Sequence, residues 1–106
     1  MGYCTLTQLK EILKIDADDT SSDDELAGCI KSADAKIDNK LAEVDLTVPS
    51  TTPQSIIDAS SHYAAWIFRR RLDPTGAEAF KAEAEEFLQD YINAEKTDPG
   101  FRVVQA

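Results

Sequence analysis

From Pro53 to Leu72 the chain places apolar residues around most of the circumference of a helix. At about 100° per residue, Ile56, Tyr63 and Ile67 mark the centre of that surface. Ala59 and Trp66 flank one side; Ile57, Ala64 and Phe68 flank the other. Only Asp58, Ser61, His62, Ala65 and Arg69 form a strip compatible with solvent. A helix apolar over so much of its surface is central in its domain, or it also faces another subunit. Thr52 as N-cap with Pro53 at the first helical position marks its start.

Three further segments carry the helical period, while the acidic stretch Asp16 to Ser22 is polar, lacks periodicity and reads as a loop. A first helix is predicted over Leu6 to Lys14, with Leu6, Leu9, Ile12 and Leu13 as its stripe and Thr5 and Gln8 as a capping box. A second is predicted over Asp23 to Val44, with Leu26, Ile30, Ala33, Ile37 and Leu41 aligned and Cys29 at the edge. Ser22 with Glu25 forms its capping box, and Asp23, Asp24 and Glu25 complement the helix dipole. Asp73-Pro74-Thr75-Gly76 is a turn, and Thr75 with Glu78 opens a fourth helix over Gly76 to Ala94. Its face carries Phe80, Ala84, Phe87 and Tyr91, with Leu88 and Ile92 beside them. The expected fold is all-α: a small bundle of about four helices over residues 1–94, then a short extended C-terminal tail over 95–106.

A chain of 106 residues fits one core rather than two. No apolar run is long enough to span a bilayer, and Met1 to Lys10 has no signal-type apolar stretch. The formal charge of −9 opposes non-specific binding to nucleic acid and suits an aqueous channel wall or a basic partner. Cys4 and Cys29 are too few for a disulfide scaffold and lack metal-ligand spacing, so both read as reduced thiols.

Several residues invite a chemical reading. Asp16, Asp18 and Thr20 match the first, third and fifth positions of a calcium loop. Ser21 then stands where Gly is required and Ala27 where a bidentate Glu should be. The better reading is a solvated loop with capping acids. Glu83, Glu86 and Asp90, facing Asp34 and Asp38, could hold a divalent metal as in all-helical phosphohydrolases, but this spacing is cheap in so acidic a chain. His62 has no nucleophile–base–orienter arrangement around it and reads as a surface or interface residue. No catalytic, cofactor or metal site is therefore expected.

Arg69, Arg70 and Arg71 have three readings: helix-dipole complementation with intramolecular pairing, contact with a neighbouring subunit, or contact with DNA phosphate. Being consecutive, they radiate around the helix and cannot all meet one partner. Tyr63 and Trp66 read as core, or as interface anchors of the residue types enriched in hot spots. The apolar tail residues Phe101, Val103 and Val104 could form a strand only by pairing with something else.

One family shares this order of weak signals. Tyr3-x-Thr5-Leu6-x-x-Leu9-Lys10 before a short helix, then Asp23-Asp24-x-Leu26, Ile30, Ala33 and Ile37-Asp38, resembles the head–tail connector (adaptor) proteins of long-tailed phages and prophages. The proline-started third helix with Ile56, Ala59, Ala64 and the arginine run adds to the resemblance, which covers about residues 3–93. It implies a helical bundle assembling into a ring of about a dozen copies, placed under the portal at the capsid vertex. Its partners would be the portal and a stopper or tail-completion protein, with DNA passing through the channel without sequence-specific binding. It would reside in the virion, and in host cytoplasm during assembly. The family brings no catalytic residues. Tyr63, Trp66, Arg69, Arg70, Arg71, Phe101, Val103 and Val104 are the expected oligomer or portal contacts on physical grounds. The other readings are a small acidic helical interaction module and, third, the metal-dependent phosphohydrolase.

Overall fold

The computed structural model describes residues 2–97. They form four helices and no strand: α1 (Leu6–Leu13), α2 (Asp23–Ala42), α3 (Gln54–Arg69) and α4 (Pro74–Thr97). The fold is an all-α bundle. The proposed tail strand, with Phe101, Val103 and Val104, lies outside the described residues.

Helix α3 is the centre of the bundle. It packs against α1, α2 and α4, whereas α2 and α4 scarcely touch each other. Ile56, Ala59, Tyr63, Ala64 and Ala65 are all at 0% exposure. The strip expected to face solvent is a correction: Ser61 is buried, Ala65 has no exposed surface, and Asp58, His62 and Arg69 are half-buried. Small side chains at Ser61 and Ala65 let neighbouring helices close over that side, so a centre on all sides is the outcome.

The apolar stripe of α2 is buried along its whole length, from Leu26 through Ile30, Ala33 and Ile37 to Leu41. On α4 the fully buried line is Ala77, Ala84, Leu88 and Tyr91, while Phe80 and Phe87 are half-buried beside His62. The core therefore sits on one edge of the expected face. Cys4 and Cys29 are both free and buried. Burial pushes both thiols up, with Ser60 opposing the shift at Cys4 and Arg70 at Cys29.

Helix ends divide into those read correctly and those displaced. Thr5 and Gln8 form the capping box, with the Gln8 N–H 3.1 Å from Thr5 Oγ1 and the Thr5 N–H 2.8 Å from Gln8 Oε1. Ser22 makes no side-chain cap, because its ψ of 11 turns it away from the extended geometry a capping hydroxyl needs. Pro53 is the N-cap of α3 rather than its first residue. At α4 the cap is Asp73, not Thr75: its Oδ1 accepts from the Gly76 N–H at 3.0 Å, and Pro74 occupies the first helical position. Lys14 ends α1 in the left-handed region at φ 63, and its neighbour Ile15 donates back to the Lys10 carbonyl at 2.9 Å.

Candidate interaction surface

Polar groups on the inner side of the fold are nearly all used internally. The Lys10 side chain is 6% exposed and its ammonium is enclosed by the α1–α2 loop. It donates to the carbonyls of Ala17 (3.4 Å) and Asp19 (2.9 Å) and pairs with Asp23 Oδ1 at 2.7 Å. Asp16 Oδ1 accepts from the Asp18 N–H, and Asp19 Oδ1 from both the N–H and the hydroxyl of Ser21. Those two serine bonds hold the Asp19 carboxyl below its usual range. The candidate calcium loop is thus organised by a lysine and by its own backbone.

Asp34 has a comparable role. Its Oδ1 accepts from the buried Ser60 hydroxyl at 2.6 Å and its Oδ2 from the Tyr3 N–H at 2.8 Å. Burial raises its pKa, against these two hydrogen bonds. The Tyr3 hydroxyl donates to Asp38 at 2.5 Å, and burial with that carboxylate pushes the phenol up to about 12. Both acids thereby clip the N-terminal arm to α2. Gly2 lies so close to α2 that a Cβ would meet Ile30 Cγ2 at 2.5 Å. His62 Nδ1 is 2.8 Å from the Asp58 carbonyl of its own helix, and Nε2 is 3.6 Å from Glu83. Among the described residues no three His, Cys, Asp or Glu gather closely enough to hold a metal ion.

The three arginines separate as consecutive helical residues must. Arg69 reaches the Leu13 carbonyl at the end of α1 at 3.4 Å. Arg71 forms an ion pair with Glu25 at the start of α2. Arg70 lies over the Trp66 ring, 4.4 Å from its centroid. Arg69 and Arg71 thus have partners within the chain, and Arg70, exposed like Arg71, lies on a surface feature.

That feature is a trough along α2. Trp66 is half-buried at its floor, with Lys81 Nζ at 5.2 Å and Lys36 Nζ at 5.7 Å from its ring. Three cations from three elements therefore surround one indole, an arrangement worth about 0.5–1 kcal/mol per exposed pair. Tyr63 meets Trp66 edge-on at 6.4 Å and continues the floor between Lys40 on α2 and Glu85 on α4. The Tyr63 ring has no exposed surface, so its place is the core. Its hydroxyl has no hydrogen-bond partner among the described residues, and burial with the nearby Glu85 pushes it up to about 12. Lys36 and Lys81 carried no signal in the sequence beyond their charge, since their meeting at Trp66 depends on how α2 and α4 straddle α3. Leu72, at 81% exposure in the α3–α4 turn, is the large apolar side chain most open to solvent among the described residues.

The model of the phage gp6-like head–tail connector protein family matches residues 3–79, from Tyr3 into the second turn of α4. The chain belongs to that family. It is a structural connector of the phage head–tail joint, and its resemblance-bearing residues are those that build the bundle. Leu9, Leu26, Ile30, Ala33, Ile37, Ile56, Ala59 and Ala64 are core, Tyr3 bonds Asp38, and Lys10 pairs with Asp23. The match stops short of most of α4, which the sequence resemblance had included. Comparisons with curated proteins and with solved structures find no match. No helix among the described residues is long and apolar enough to cross a membrane.

Proposed function

We propose that this connector works without catalysis as a subunit of a ring beneath the portal, joining capsid to tail and lining the DNA channel. The family match from Tyr3 into α4 is the observation that carries the reading. A surplus of acids, at a formal charge of −9, suits a wall past which DNA slides without adhering. The partners are further copies of the chain, the portal, and a stopper or tail-completion protein. The protein occupies host cytoplasm before it enters the virion. Trp66 and Arg70 are the described surface candidates for these contacts, and the segment with Phe101, Val103 and Val104 is a docking tail for portal or neighbour.

Deletion of the gene from the phage tests this. Filled heads and free tails that do not join, rescued by the protein supplied in trans, are expected. Normal joined virions in its absence would contradict the role.

A further inference from the structure

Lys36, Arg70 and Lys81 crowd Trp66, yet none has an acidic partner among the described residues. In a chain with twenty acids and eleven bases, a gathering of unpaired cations over a half-buried indole is a local inversion of the molecule's charge. On α4, Glu83, Glu86 and Asp90 form an exposed acidic flank, whose first member also lies 3.6 Å from His62 of the same molecule. Around the helix this flank is centred roughly 150° from Lys81 and the other α4 residues lining the trough. One molecule therefore cannot lay its own flank in its own trough.

We propose that the trough receives the acidic α4 flank of a second copy of the chain. The inference rests on the ring reading above and names the two surfaces that would meet. Joining unlike surfaces makes a heterologous contact, which closes into a ring when the rotation permits. Trp66 supplies the apolar anchor and the three cations supply electrostatic complementarity, which favours the correct partner and register. Duplex DNA is the other polyanion that such cations could attract, and the overall negative charge opposes it.

Complementary charge reversal decides the matter, using the whole chain. K36E/K81E alters the trough and E83K/E86K alters the flank. Half-buried or exposed positions leave the far-ultraviolet circular dichroism of each variant unchanged. Sedimentation of the wild type up to millimolar concentration is expected to show salt-sensitive self-association. Each double variant alone should associate at least tenfold more weakly, and mixing the two should restore association. Wild-type behaviour of both variants, failure of the mixture, a wild type monomeric throughout, or duplex DNA bound through the trough would each overturn the proposal. The connector role is scored separately in the deletion experiment. Loss of joining on deletion with no effect of charge reversal sinks the trough alone; restored association with joining intact on deletion sinks the connector role alone.

Discussion

In the loop between α1 and α2, carboxylates crowd together and the chain supplies its own cation. Lys10 is buried, three oxygens surround its ammonium, and Asp16 and Asp19 accept from backbone N–H groups. In the trough over Trp66, three cations crowd together and none of them forms an ion pair among the described residues, although Glu85 lies further along. The loop was the louder signal in the sequence, yet its charges are consumed in folding. The quieter lysines and arginine are left over, and unspent charge beside a half-buried aromatic is what a partner can use. Local density of charge is thus a poor guide to function until its internal partners are known.

The sharpest way to break this comparison is Lys10→Ala. Removing the ammonium strands Asp23 and two loop carbonyls, and should cost about 3 kcal/mol in urea unfolding. A loss under about 1 kcal/mol would mean that the loop is merely solvated. Asp34→Ala, which removes the acceptor for Ser60 and Tyr3, should cost about 2 kcal/mol by the same measurement.

Asp34→Asn keeps an acceptor for Tyr3 and can donate to Ser60, so its effect appears in the pH dependence. The folded-state pKa of Asp34 is raised, so its contribution is present below the unfolded value and is lost as pH rises through the folded one. Stability measured upward from pH 4 should therefore fall less, or rise more, in Asp34→Asn than in the wild type. Identical slopes would contradict the assigned burial.

Trough substitutions should matter least to folding. K36Q/K81Q should cost no more than about 1 kcal/mol, the loss of two weak cation–π contacts with Trp66 and of no ion pair. Tyr63→Phe should be neutral or slightly stabilising, within about 0.5 kcal/mol, since the hydroxyl deleted has no partner. A cost above 1 kcal/mol for Tyr63→Phe would show that the hydroxyl is bonded within the folded chain.

Four helices and the buried stripe of α2 were legible because apolar spacing at three and four residues is a strong one-dimensional signal. The Thr5–Gln8 box was legible because it is local. Ser61 and Ala65 were misplaced because small residues are equally at home in water and beneath a close-packed neighbour, and only the bundle decides which. Asp73 displaced Thr75 as a cap because two capping residues compete across Pro74, and a proline favours the residue directly before it. The candidate interaction surface was half legible. Trp66 and the arginines could be singled out by residue type, whereas Lys36 and Lys81 join them only through tertiary packing.

The most direct test of the account is cryo-electron microscopy of the head–tail joint in the intact virion. A ring of four-helix subunits between portal and tail, with α4 of each copy against the Trp66 trough of the next, is the predicted density. A joint built wholly from other chains would contradict the connector role at its root.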